Sequence, residues 1–266
     1  MNKRHWNGSL ITATRRPPSI LAANGVFNLV SQQVFKSANK WHQDFVTSGL
    51  ILHVDAGNSS SYPGSGTTWT DLSGQSIDGT LTFGPTYSSA DGGAIVFDGS
   101  NDHIAFNSQL DPVADGLFAD SSSAWSVSSW FNPDNASGSD QSINSKGGGT
   151  GSAATYVTFI NGGNVKVRLR GGTVATVASV SNNNWYEIAV TWDGSTAKAY
   201  LNGAFQTNVA VGSVSKQTDK FKIAAAADSP KTFFDGKISA TTVYDRALTA
   251  AEVTRNYNVL KGRYGL

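Results

Sequence analysis

The side chains able to do chemistry are unevenly supplied along this chain. Oxygen donors abound in turn-rich stretches, where Asp55, Asp71, Asp78, Asp98 and Asp102 stand among Gly, Ser and Asn. A hard cation takes carboxylate and loop-carbonyl oxygens, so Asp55, Asp71, Asp98 and Asp102 are candidate ligands for a structural Ca2+. The same residue type also makes ordinary turns and loop caps. Glutamate occurs only at positions 187 and 252, in separate segments. Glycoside hydrolysis needs two carboxylates at a fixed separation, one protonated and one ionised, and no local string offers them. His5, His42, His53 and His103 are scattered without metal-ligand spacing. Cysteine is absent, which removes disulfides, thiol catalysis and Cys-based zinc sites together. No G-x-S-x-G elbow, H-E-x-x-H or phosphate-cradling glycine loop occurs.

Aromatic side chains are the other resource. A glycan site wants an exposed ring with amides and carboxylates around it, and Tyr62, Trp69 and Tyr200 are the candidates taken forward. Tyr200 alternates with Ala199 and Leu201, which turns it outward. Rings at strand period also serve packing, the commoner use. Lys166, Arg168 and Arg170 form a basic ladder that faces solvent, anionic polysaccharide or an acidic protein surface.

The elements that must position these groups read as strands. In WYEIAVTWDGSTAKAYLNGAFQ (185–206), Tyr186, Ile188, Val190 and Trp192 alternate with Glu187, Ala189 and Thr191, the period of a strand with one buried and one wetter face. Asp193-Gly194 and Asn202-Gly203 supply the positive φ angles of tight turns, so the segment predicts a three-stranded antiparallel meander. Further strands are expected over 50–54, 95–97 with 103–106, 125–131, 156–160, 165–170, 221–225 and 234–244. Residues 107–123 read as a loop and 132–151 as a polar crossover. Tyr62, Trp69 and Leu72 pin the long loop that ends at Gly79. Thr249 with Glu252 three residues on is a capping box, and the helix it opens turns Val253 and Tyr257 toward the body.

Composition agrees with short strands and turns. The 266 residues include 28 glycines and are 39% hydrophobic, ample for a core. Net charge is +1, so no overall field recruits nucleic acid. No run reaches the length of a membrane span, and the N-terminus lacks a signal-peptide apolar core.

The string T[WY]DG, a short strand and LNG resembles the laminin-G-like domains of the concanavalin A-like lectin/glucanase superfamily. GLILHVDAGNSSSYPGSGTTWTDLSGQSIDGTL (49–81), AIVFDGSNDHIAF (94–106) and FFDGKISATTVYDRALTAAEV (233–253) extend the resemblance over residues 46–266. It implies an all-β fold, a two-sheet antiparallel jelly-roll sandwich with a short C-terminal helix, on a scaffold used for glycan binding, adhesion and, in some relatives, hydrolysis. The resemblance also implies that the loop aspartates lie where relatives hold an ion, although Ser239 stands where relatives carry an acidic residue. The E-x-D-x-x-E strand of glucan-cleaving relatives is missing, so the expected protein is not an enzyme.

Residues 1–45 differ from the rest and form an extended arm. Lys3, Arg4, Arg15, Arg16, Lys36 and Lys40 are opposed by Asp44 alone, and Pro17-Pro18 interrupts regular structure. Val26, Phe27, Leu29, Val30, Phe35 and Trp41 are too apolar to leave in water, which points to a docking element. Gly25, Val26, Phe27, Leu29, Gln32, Gln33 and Trp41 resemble an element near the N-terminus of many tailed-phage virion proteins. Together the resemblances imply a virion structural protein, a decoration, head-fibre or tail-associated subunit anchored by Arg15, Arg16 and the apolar arm residues. Its expected partners are other virion proteins and host surface glycan, and its exposed edge strands lead to the expectation of an oligomer. A carbohydrate-binding adhesin module is the alternative and a glycan-cleaving enzyme the third reading.

Overall fold

The computed structural model describes residues 45–106, 110, 118, 123–147, 150–151, 154–213, 220–226 and 232–266. The arm, with Arg15, Arg16, Val26, Phe27, Leu29, Val30, Phe35 and Trp41, lies outside the described residues. In chain order the first strands are β1 (Leu50–Asp55), β2 (Thr68–Trp69), β3 (Gly79–Thr82), β4 (Thr86–Ser88), β5 (Ala94–Asp98), β6 (His103–Phe106), β7 (Trp125–Pro133) and β8 (Gln141–Lys146). There follow β9 (Tyr156–Asn161), β10 (Asn164–Leu169), β11 (Ala175–Ser179), β12 (Tyr186–Trp192), β13 (Ala197–Leu201), β14 (Ala204–Val209), β15 (Phe221–Ile223) and β16 (Asp235–Tyr244). Helix α1 (Ala250–Leu260) comes last and runs on into a 3-10 turn, Lys261–Tyr264.

Two sheets face each other. The first has the order β14-β13-β12-β7-β16-β5-β4 with β1 also paired to β16, and the second β11-β10-β9-β8-β15-β6-β3-β2. Every pairing between these named strands is antiparallel. The all-β sandwich and its C-terminal helix are thus as the sequence predicts, and β12, β13 and β14 are the expected meander.

Alternation places Ile188, Val190 and Trp192 from the first sheet against Tyr156, Ile160, Val165 and Val167 from the second, in one core with Trp125, Phe131 and Phe234. Contacts of this kind are the main drive for the fold. One polar chain crosses that core. Asn144 Nδ2 donates to Ser129 Oγ (2.7 Å), Thr158 Oγ1 donates to Asn144 Oδ1 (2.8 Å), and Ser129 Oγ meets Thr241 Oγ1 at 2.7 Å. Each group is buried and each is satisfied, the condition under which polar atoms belong in a core.

The other face of β12 is dry as well, a correction to the expected wetter side. Glu187, Ala189 and Thr191 are buried, because α1 lies across that face. The capping box starts the helix: Thr249 accepts from the Glu252 amide while the Glu252 carboxylate accepts from Thr249 N. Trp130 stacks on Tyr257 and Tyr264, with ring centroids 5.4 and 4.4 Å away. Val253, Leu248, Tyr200 and Tyr244 pack beside them. Tyr244 Oη donates to Val46 O (2.9 Å) and accepts from Asn256 Nδ2 (2.9 Å), while Val46 N donates to Asn256 Oδ1 (3.0 Å). This closed ring of hydrogen bonds fastens the start of the body to the helix.

The expected polar crossover at 132–151 contains a strand of the second sheet, β8. Its sequence, QSINSK, lacks an apolar period because Asn144 and Ser142 bond to partners inside the protein rather than to water.

Candidate functional site

At one end of the sandwich several connections pass from one sheet to the other, among them β3 to β4, β5 to β6, β7 to β8 and β15 to β16. Three of them enclose a polar cleft of about 230 Å³. Its walls are Asp98 and Gly99, then Asn135, Ser139, Asp140 and Gln141, then Thr232, Phe233 and Asp235. Among the described residues no Lys or Arg lines it.

Buried Gln141 holds two walls together. Its Nε2 donates to Asn135 O (2.6 Å), and its Oε1 accepts from Asp235 N (3.1 Å). Asp140 accepts from Asn161 Nδ2 (2.8 Å) and from Thr150 Oγ1. Ser142 and Thr232 hydroxyls meet at 2.6 Å just beneath. Gly99 turns at φ +70°, and a Cβ there would stand 2.8 Å from Asp235 Cβ, so only glycine lets the β5–β6 turn lie this close.

Asp98 and Asp235 are directly opposed across the β5–β16 pair. Like charges in that position weaken a sheet. Asp98 Oδ1 accepts from Ser100 N at 2.9 Å, and that hydrogen bond with its neighbours holds the Asp98 carboxyl below its ordinary range. The Asp235 carboxylate accepts no hydrogen bond from any described residue; partial burial and then the charges of Asp134 and Asp98 push it up. Lys237 is engaged by Asp134 at 3.0 Å, outside the lining. The result is a concave set of fixed oxygen acceptors with amides, hydroxyls and one ring edge, suited to a ligand rich in hydroxyl donors.

The sequence candidates are placed differently. Asp55 grips Arg263 through two bonds of 2.6 and 2.8 Å. Asp71 caps its own loop by accepting from the backbone amides of His53, Ser73 and Ile77. Asp102 accepts from Asp98 N at 3.3 Å, and burial raises its carboxyl. Asp98 alone of the four lines the cleft, and no group of three or more acidic or histidine side chains able to hold a metal occurs among the described residues. Where the aspartate of β1 and the Ser239 segment meet, the guanidinium of Arg263 supplies the positive charge.

Tyr62, Trp69 and Tyr200 are buried, a correction to their reading as sugar platforms. Tyr62 and Trp69 fill the sandwich core beneath their loop. Tyr200 does face away from that core, but it packs in the cluster with Val253 and Leu248 under the helix. Glu187, expected on the wetter face of its strand, is enclosed there too, and burial pushes its carboxyl up to about 8.

Residues 98–254 match the Laminin_G_3 family, of the Concanavalin A-like lectin/glucanases superfamily. The chain belongs to this family. Solved structures with the same fold include the binding domain of Paraclostridial Mosquitocidal Protein 1, at 17% identity and TM-score 0.58, with 79% of this chain and 52% of that one covered. The binding domain of botulinum neurotoxin DC, in complex with rat synaptotagmin II, matches at 10% identity and TM-score 0.60, covering 81% and 52%. Trypanosoma rangeli sialidase, in complex with 2,3-difluorosialic acid, matches at 12% identity and TM-score 0.60, covering 79% and 33%. The chain therefore spans about half the length of the toxin domains and a third of the sialidase, and at these identities the likeness is one of fold. No curated protein matches the sequence. No helix among the described residues is long and apolar enough to cross a membrane.

Proposed function

We propose that this chain is a non-enzymatic carbohydrate-binding module whose cleft at the sheet-crossing loops takes the hydroxyls of a glycan, displayed from a phage virion by its N-terminal arm. The carrying observation is the Asp98–Asp235 pair. Two carboxylates opposed across strands, one of them without a hydrogen-bond donor among the described residues, repel each other mildly and stay available to a ligand. Vicinal sugar hydroxyls are donors of the right kind, and charge-assisted hydrogen bonds to carboxylates are among the stronger polar contacts. Glu187 and Glu252 are committed to helix packing and capping, which leaves them no part in hydrolysis. The virion context is supported by the arm sequence and its resemblance to phage N-terminal elements.

A glycan array on the full chain, followed by calorimetry with the best ligand, tests the binding reading. Asp98→Asn and Asp235→Asn are each expected to weaken that ligand about tenfold or more. An array without a retained glycan, or variants that bind like the parent, would overturn it. Release of reducing sugar from the bound glycan would overturn the non-enzymatic part. For the virion context, a chain lacking residues 1–44 is expected to stay out of particles that incorporate the full chain; equal incorporation counts against it.

A further inference from the structure

Phe83 is 70% exposed, the most exposed of the large hydrophobic side chains among the described residues. It sits in the sheet-crossing connection between β3 and β4, at φ +69°. A bulky residue in the left-handed region is strained, and an exposed phenyl ring adds the cost of its hydration. Its ring centroid lies 5.7 Å from that of His103, and the His103 ring lies 6.3 Å from that of Phe233. Phe233 lines the cleft. The backbone fixes this order: Thr82 pairs with His103 across β3 and β6, so the turn that carries Phe83 rises beside the start of β6. His103 Nδ1 is 2.9 Å from Asn101 O, which steadies the middle ring.

We propose that Phe83, His103 and Phe233 form an aromatic rail that prolongs the cleft into a groove for an extended, neutral oligosaccharide. This rests on the carbohydrate reading above and deepens it. The terminal sugar gives its hydroxyls to Asp98, Asp140 and Asp235, and the following sugars lay their C–H faces on the rings, whose π clouds are negative. Acidic sugars are selected against, because three carboxylates line the cleft and repel them.

Calorimetry with the full chain reads this directly, using glucose, cellobiose and cellotetraose, the N-acetylchito-oligosaccharides of the same lengths, and 3′-sialyllactose as the acidic probe. For the series that binds, affinity is expected to rise about tenfold or more from the disaccharide to the tetrasaccharide, with 3′-sialyllactose the weakest. In Phe83→Ala and Phe83→Gly that rise with length disappears, while Asp235→Asn weakens every length. Phe83→Gly, free of the strained φ, should melt no lower than the parent. A length dependence that survives both Phe83 variants overturns the rail and leaves the cleft reading standing. Indifference to Asp235→Asn overturns both. Preference for 3′-sialyllactose, binding by neither neutral series, or a fall of several degrees in the melting temperature of Phe83→Gly overturns the rail.

Discussion

The outer face of the first sheet and the loop end of the sandwich are built from the same kinds of group and finish differently. Under α1, Tyr244, Asn256 and the main chain of Val46 satisfy one another, and Glu187 is shut away from water. At the loop end Asp98 and Asp235 stand opposed, and Asp235 has no donor among the described residues. Carboxylates and aromatics committed to their own chain become part of the fold. Those left uncommitted are free for recognition, at a cost in stability.

That contrast is easiest to break at Glu187. Burial pushes its carboxyl up to about 8, with hydrogen bonds from Ser128 and Gly203 only partly offsetting it. Between its ordinary 4.5 and about 8 the folded chain keeps a proton that the unfolded chain releases. Stability from this group is therefore full below its ordinary value and falls as pH rises through the window, by on the order of 5 kcal/mol. Denaturation titrations of Glu187→Gln at both ends of the window should show that slope flattened, and an unchanged slope would remove the helix side of the contrast. Glu252 has the opposite sign. Held down to about 2 first by its hydrogen bond from Arg246, it loses its contribution as pH falls below its ordinary 4.5.

Trp130→Ala empties the stack with Tyr257 and Tyr264 and is expected to cost about 3–5 kcal/mol in chemical denaturation. Tyr244→Phe leaves Val46 O and Asn256 Nδ2 without their partner, and a loss of about 1–2 kcal/mol is expected by the same method. Asp235→Asn is the smallest in stability: its melting curve should stay within about 0.5 kcal/mol of the parent, or improve as the opposed charges are relieved, while glycan binding falls. A large destabilisation by Asp235→Asn would make the two regions alike after all.

Much of the sandwich was legible because its signals are local. Asp193-Gly194 and Asn202-Gly203 mark turns, and Thr249 with Glu252 marks a helix start, whatever the rest of the chain does. The strand β8 was not legible, since Asn144 earns its buried place through Ser129 and Thr158, which lie on other strands. Tyr200 shows the same limit. Its outward alternation is correct, but the helix that covers it comes from later in the sequence. The cleft was legible only at Asp98, and there as a cation ligand, because its walls come from three distant loops. Two local signs point to it: the density of Asn, Asp, Ser and Gln after Trp130-Phe131, and the pair Phe233-Phe234, of which only Phe234 enters the core.

Strand β16 begins at Asp235 in the cleft and ends at Tyr244, which holds Val46. Its ten residues reach roughly 30 Å at the usual rise per residue. It is flanked by β7 along its length and by β5 and then β1 on the other edge. Tension along this one strand loads the hydrogen bonds on both its edges in shear, all together, rather than unzipping them one by one.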